Sequence, residues 1–236
     1  MTKDYESGEI ISVDKPLGWT SFDAVKRVRG ALTRRYGVKR FKVGHAGTLD
    51  PLATGVMIIC TGKATKNIDT LQAGVKEYIA TMALGATTPS FDLETEIDTI
   101  YPVEHITREL VETTLPKFTG RIEQVPPAFS ACKVDGKRAY KMARKGQEVE
   151  LQPKVLVIDE IELLEYEPQR SITIRVVCSK GTYIRALARD IGRALDSGAH
   201  LTALRRTRVG DVSISDCMSI DEAVQQIKEA DLSPKE

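Results

Sequence analysis

Apolar positions recur along this chain with two different periods, and the period sets the expected element. Ile10 to Val13 reads as a short strand ending at the Lys15-Pro16 turn. After Thr20-Ser21, either of which can cap a helix, Phe22, Val25, Val28, Leu32 and Tyr36 return at three- and four-residue steps. That spacing predicts an amphipathic helix with Lys26, Arg27, Arg34 and Arg35 on its other face. Val56 to Cys60 is a continuous apolar run and predicts a buried strand, while Tyr78 to Leu84 alternates as a second strand would. Thr107 to Leu115 predicts a helix, Arg121 to Val125 a strand, and Val155 to Leu164 with Ile172 to Cys178 a pair of neighbouring strands. Thr182 is expected to cap a helix that buries Ile184, Leu187, Ile191 and Leu195. Ser219-Ile220-Asp221-Glu222 has the spacing of a capping box and opens a last short helix.

Strands outnumber helices and do not alternate strictly with them, which predicts an α+β architecture rather than a doubly wound parallel sheet. No fixed-period repeat and no low-complexity tract interrupts the pattern. The stretch 126–153, bounded by Pro126-Pro127 and Pro153 and rich in Lys and Arg, is the candidate insertion. At 236 residues, the chain is expected to be a single domain (1–236) carrying that insertion.

Composition changes this picture little: 42% hydrophobic and 28% charged residues are ordinary for a globular protein. Charge distribution changes it more. The formal net charge is only +1, yet basic residues gather in 26–42, 133–145 and 170–208 and acids in 92–112, 159–167 and 211–231. Such segregation fits one positive face and one solvated acidic face. Cys60, Cys132, Cys178 and Cys217 form no C-x-x-C pair, and His45, His105 and His200 stand singly, so no metal site is expected. The first eight residues are polar and mixed in charge, and no apolar run approaches about 18 residues. Neither a signal peptide nor a membrane span is expected, and a reducing cytoplasm is the expected compartment.

Chemistry concentrates in Gly44-His45-Ala46-Gly47-Thr48-Leu49-Asp50-Pro51-Leu52-Ala53-Thr54-Gly55. Eight cations (Lys26, Arg27, Arg29, Arg34, Arg35, Lys39, Arg40, Lys42) and no acid lie between Ala24 and Leu49, so Asp50 closes a long basic stretch. A cationic field keeps such a carboxylate ionised and attracts a polyanion. The glycines permit close backbone approach, and Pro51 fixes φ directly after the acid. A polar loop whose Asp merely caps the next turn would look the same by spacing alone.

Read on through Gly62-Lys63-Ala64-Thr65-Lys66, this segment resembles the signature of the TruB family of tRNA pseudouridine synthases. Further segments resemble family motifs in the same order. They are Asp14-Lys15-Pro16-Leu17-Gly18-Trp19-Thr20-Ser21, Lys76-Glu77-Tyr78-Ile79-Ala80, and Pro126 to Ala131 with Gly136 to Tyr140. Cys178 to Arg185 and Gly198 to Leu201 with Leu204-Arg205-Arg206 follow. The matches cover roughly residues 10 to 210. The resemblance implies the pseudouridine synthase fold, a mixed and mainly antiparallel sheet flanked by helices. It also implies isomerisation of uridine 55 in the T-loop of tRNA. Longer family members end in a PUA-type RNA-binding domain, and too few residues follow Val212 to build one, so a short form is expected.

The resemblance assigns the catalytic carboxylate to Asp50 and the base-stacking tyrosine, also placed for a late proton removal from C5, to Tyr78. It assigns the Asp-pairing arginine to Arg185 and a pocket-lining role to Leu204. His45 and Tyr183 are expected beside the flipped base and Asp92 near the entry. Lys15 and Lys66 are expected to support the loop or phosphates, and Lys133, Lys137, Arg138 and Lys141 to grip RNA. Taken alone, Tyr78 could be a half-buried strand aromatic, Arg185 a surface helical arginine and Leu204 core. No cofactor and no metal are expected, and the expected partner is the T-arm of tRNA, bound by a monomer.

Two other readings fit less well. Gly55 to Gly62-Lys63 is no P-loop, because six residues separate the glycines where four are needed and Ala64 replaces the Ser or Thr. A purely RNA-binding protein would explain the cations but gains nothing from Asp50 among them.

Overall fold

The computed structural model describes residues 3–130, 132–134, 137–139, 142 and 151–230. Along the chain, β1 (Ile10–Lys15) leads to α1 (Ser21–Tyr36), β2 (Val43–His45) and β3 (Ala53–Thr61). A 3-10 turn at Gly62–Asn67 and α2 (Ile68–Ala73) lead to β4 (Lys76–Leu84), β5 (Ala86–Thr87) and β6 (Thr99–Ile100). Then come α3 (Arg108–Thr114), a 3-10 turn at Leu115–Phe118, β7 (Gly120–Gln124), β8 (Lys133–Val134) and β9 (Lys137–Arg138). The chain continues through β10 (Lys154–Glu167), β11 (Ser171–Cys178), α4 (Ile184–Ala194) and β12 (Ala199–Val209). It closes with β13 (Val212–Ser213), β14 (Met218–Ser219) and α5 (Ile220–Glu229).

These elements form two compact units, one of residues 1–77 with 205–236 and the other of residues 78–204. The chain passes between them inside β4 and β12.

In the first unit β1 pairs antiparallel with β3, from Ile10 opposite Cys60 to Lys15 opposite Gly55, and β14 lies parallel to β1. β2 pairs antiparallel with β3, so the Asp50 segment is the connection of a β2–β3 hairpin. Both faces of β3 are covered. Met57 and Ile59 join Val25, Val28 and Leu32 of α1 and Val224 and Ile227 of α5, whereas Val56, Ile58 and Cys60 join Val209 and Ala46. This two-sided burial explains why β3 reads as an unbroken apolar run. Thr20 caps α1 in a full capping box with Asp23, and Gly37 ends it in the left-handed conformation. Phe22 departs from the expected stripe. It is 60% exposed under the Arg29 guanidinium, and Ser21 and Ala24 turn inward instead.

In the second unit the strand order is β4-β11-β10-β7, and β10 runs antiparallel to both β11 and β7. β4 and β11 each bury alternate residues: Tyr78, Ala80, Met82 and Leu84 on one, Ile172, Ile174 and Val176 on the other. α4 buries Ile184, Leu187 and Ile191 as its spacing predicts. Thr182 does not cap it: the N-cap position is Tyr183, without a side-chain bond, and the Thr182 hydroxyl donates to the Ser179 carbonyl. β12 was not expected from the sequence, because its Thr- and Arg-rich stretch lacks a clean alternation. Within 126–153, Lys133 and Val134 pair with Arg138 and Lys137 as two short antiparallel strands. Lys141 lies outside the described residues. The architecture is α+β, as expected. No helix among the described residues is long and apolar enough to cross a membrane.

Candidate active site

The first unit holds Lys15, His45, Asp50 and Lys66; the second holds Tyr78, Asp92, Tyr183, Arg185 and Leu204.

Asp50 sits half-buried at the start of a turn in which the Ala53 amide donates to the Asp50 carbonyl at 3.0 Å, with Pro51 at the position that favours it. The loop around it is fixed from three directions. The Ser21 hydroxyl bonds both main-chain groups of Leu49, and the Gly18 amide donates to the Pro51 carbonyl at 2.8 Å. Beneath the loop lies Arg206, only 1% exposed. Its guanidinium donates to the carbonyls of Val56 at 2.8 Å, Gly47 at 3.2 Å and Thr48 at 3.4 Å. Gly55 allows this arrangement: at φ 107° a Cβ there would lie 2.1 Å from the Arg206 carbonyl oxygen.

Lys15 is fully buried and donates to the carbonyls of Pro16 at 2.9 Å and Trp19 at 2.6 Å. Burial pulls its ammonium down to about 8; the negative charge of Asp50 opposes that shift and Arg206 adds to it. Lys15 therefore supports the loop from within the protein and lies in the electrostatic field of Asp50. His45 ends β2 half-buried, with Nδ1 lacking a hydrogen-bond partner among the described residues. Burial lowers its pKa, opposed by the Gly47 backbone and helped by Arg206, so the ring is neutral at pH 7. Lys66 is exposed on the 3-10 turn after β3 and lines a basic cleft rather than the loop. Arg205 bonds Asp14 at 2.7 Å and Thr54 at 3.2 Å, tying β12 to β1 and β3.

In the second unit Tyr78 is 8% exposed on the inward face of β4. Arg185 is no surface arginine: it is 4% exposed and donates to the carbonyls of Phe129 at 2.8 Å and Ser90 at 3.1 Å. Its Nε lies 3.7 Å from the Asp92 carboxylate, itself 6% exposed. Asp92 also accepts from the Glu94 amide at 2.9 Å and follows Phe91, a non-glycine residue at φ 61°. A left-handed φ costs such a residue about 1–2 kcal/mol, and the turn persists because the Phe91 amide donates to Thr88 and its carbonyl accepts from Leu201. Tyr183 meets Cys132 Sγ at 3.2 Å through its hydroxyl, and its amide donates to the Gln124 side chain at 2.9 Å. Burial, then the Cys132 contact, raises its phenol well above the ordinary value, so it stays protonated. Leu204 is half-buried in β12.

Sequence reading missed Ser21 and Arg206 as supports of the loop, although both lie in quoted motifs. A Ser in the first turn of a helix, and the second Arg of Arg205-Arg206, were the available signals.

The chain matches a family model described as TruB family pseudouridylate synthase, N-terminal domain, over residues 33–184. A second model, the tRNA pseudouridylate synthase B C-terminal domain, matches residues 185–234. Curated relatives include tRNA pseudouridine synthase B of Phocaeicola vulgatus, 69% identical over 218 residues, 92% of each chain. The protein of that name from Bacteroides fragilis is 66% identical over 229 residues, 97% of this chain and 98% of its own. Among solved structures, an H/ACA RNP bound to a substrate RNA containing 2'-deoxyuridine contains a similar chain, with TM-score 0.67 and 28% identity. That match covers 94% of this chain, which spans about half (54%) of the other.

Proposed function

This chain belongs to the TruB family of pseudouridylate synthases, and we propose that it isomerises uridine 55 in the T-loop of tRNA with Asp50 as its one catalytic carboxylate. The observation that carries the reading is the Asp50 loop: a single acid in a rigidly clamped turn, supported by a buried lysine and a buried arginine. Isomerisation breaks the N1–C1′ bond, turns the uracil and forms C5–C1′. C5 then loses its proton and N1 ends protonated, so atoms balance without redox change or added water. One carboxylate is enough, acting on the sugar as nucleophile or base or stabilising an oxocarbenium-like centre.

A stacked base must leave the helix to be reached, and Tyr78 would hold it on its ring and take part in the loss of the C5 proton. Arg185 would be the guanidinium that keeps the catalytic carboxylate charged. Asp92 would fix Arg185, and His45, Tyr183 and Leu204 would line the base-binding site. Lys15 would keep the loop in shape, Lys66 would meet phosphates, and Lys133, Lys137, Arg138 and Lys141 would grip RNA. We place the enzyme in the cytoplasm, acting as a monomer on the T-arm.

Unmodified tRNA transcript, incubated with the protein and no nucleotide and then mapped chemically for pseudouridine, tests the reading. Product at position 55 is expected with wild type and none with Asp50→Asn, which should still bind tRNA within a few-fold. Modification at another site, or turnover by Asp50→Asn, would overturn it.

A further inference from the structure

At the end of the β2–β3 hairpin remote from Asp50, Val38, Arg40, Phe41 and Lys42 face the 3-10 turn Gly62–Asn67 across a cleft of about 330 Å³. Its rim carries Arg40, Lys42, Lys63 and Lys66, all exposed, against one acid, Glu6. None of the four cations makes an ion pair or a side-chain hydrogen bond among the described residues. Several other arginines of this unit are engaged within the protein: Arg27 binds Asp221, Arg29 the Val43 carbonyl, Arg35 the Ala230 carbonyl and Arg205 Asp14. Four cations against Glu6 on the lining and the Asp4 carboxylate in the field of Lys63 leave the concavity with an excess of positive charge, which attracts an anion.

The walls are fixed in advance. The Gly62 amide donates to the Lys42 carbonyl at 2.9 Å and the Lys63 amide to the Glu6 carbonyl at 3.2 Å. The Thr61 hydroxyl donates to the Tyr5 carbonyl at 3.0 Å. Gly62, at φ 49°, lets the N-terminal segment pass where a Cβ would lie 2.1 Å from the Glu6 carbonyl oxygen. Phe41, packed on Tyr36 with centroids 4.9 Å apart, forms an apolar floor.

We propose that this cleft is a second RNA contact, a subsite for backbone phosphates of the stem beyond the reacting loop. The proposal rests on the RNA-modifying reading above. From Ala53, where the Asp50 turn ends, to Thr61 is eight residue steps of one strand, roughly 26 Å at about 3.3 Å per residue. A mononucleotide cannot span that distance, whereas a duplex stem of several base pairs can. The cleft therefore reads RNA by its phosphates and its length, not its bases.

The test uses the full chain and three ligands: whole tRNA, a T-arm hairpin with its complete stem, and the same loop on a stem of two base pairs. Kd is measured against salt for wild type and for the Arg40→Ala, Lys42→Ala, Lys63→Ala triple variant. Whole tRNA and the long hairpin should bind the variant at least about tenfold more weakly, with the log–log salt slope lower by about two to three, since each lost phosphate contact removes about 0.7–0.9. The short-stem hairpin should bind both proteins alike. Equal affinity and slope on the long ligands, or equal weakening on all three, would overturn the proposal. If the triple variant melts well below wild type, Lys63→Glu alone is decisive, with the same pattern expected. Absence of pseudouridine from wild-type reactions would instead sink the parent reading, because Kd and slope are read without turnover.

Discussion

The hydroxyl of Ser21 accepts from the amide of Leu49 at 2.8 Å and donates to the carbonyl of the same residue at 3.0 Å. One side chain in the first turn of α1 thereby holds both main-chain groups of the residue before Asp50. The contact is buried, with Ser21 3% exposed, so no water stands ready to replace it. Ser21→Ala leaves the amide and carbonyl of Leu49 without this partner. It should cost roughly 1–3 kcal/mol of stability. The loss should also appear in kcat more than in tRNA Kd, since the carboxylate's aim changes and the phosphate contacts do not. A thermal melt and single-turnover rates on the same sample decide between a local and a general effect.

Arg206 is the second support, and its substitution separates charge from geometry. Arg206→Lys keeps the positive charge but cannot reach the carbonyls of Gly47, Thr48 and Val56 together, because an ammonium lacks the planar fork. Arg206→Met removes charge and bonds alike. If the bonds matter, both variants should lose about 3 kcal/mol or more of stability and should resemble each other in turnover. Near-wild-type turnover by the lysine variant would mean that the charge alone suffices.

Much of this was legible in the sequence, and the reason differs by element. β3, α1, β4, β11 and α4 each bury a run of regularly spaced residues, so their periodicity survives in the sequence. The capping boxes at Thr20 and Ser219 depend on local spacing and were equally readable. The Asp50 loop could be found as a motif, but not its supports. Ser21 and Arg206 reach it from 29 and 156 positions away in sequence (50 − 21 and 206 − 50), and no local period encodes such contacts. β12 was missed because its middle is written in Thr and Arg, which satisfy side-chain bonds instead of an apolar face. Phe22 was misplaced for a similar reason: its three-residue step to Val25 fits the stripe, yet the inward positions go to small residues, Ser21 and Ala24, that let the helix close on the loop.

Gly55 should be intolerant of the smallest substitution. Gly55→Ala both forces a non-glycine residue into φ 107° and puts a methyl 2.1 Å from a main-chain oxygen that cannot rotate away. The expected result is loss of several degrees of Tm with loss of turnover, whereas Gly18→Ala, whose Cβ would meet nothing within 4 Å, should cost only its own backbone strain. Comparable melting of the two variants would show that the close approach to Arg206 is relaxed in solution.

Lys15 makes stability depend on pH in a direction that can be worked out. Its pKa is about 8 in the fold against 10.5 in an exposed lysine, so between those values the unfolded chain binds the extra proton. Unfolding free energy therefore rises with pH across about 8 to 10.5 through this group, while below 8 the cost of burying the charge is present in full. The difference in unfolding free energy between wild type and Lys15→Met should accordingly grow in favour of wild type as pH rises through that window. A flat or falling difference would show that the ammonium is not penalised by burial. In turnover, wild type should show an ionisation near pH 8 that Lys15→Met lacks.

Tyr78 offers the sharpest separation of stacking from proton chemistry. It lies on the inward face of β4 with only 8% of its surface exposed, so neither Phe nor Leu at this position adds volume. Tyr78→Phe keeps the ring and loses the hydroxyl; Tyr78→Leu loses both. Base–aromatic stacking is worth about 1–3 kcal/mol per base. The leucine variant should therefore bind RNA less tightly and fail before the glycosidic bond breaks. The phenylalanine variant should bind normally and slow a later step, which release of tritium from C5-labelled RNA would register. Near-wild-type tritium release by both variants would return Tyr78 to the core of β4 and leave the base to stack elsewhere.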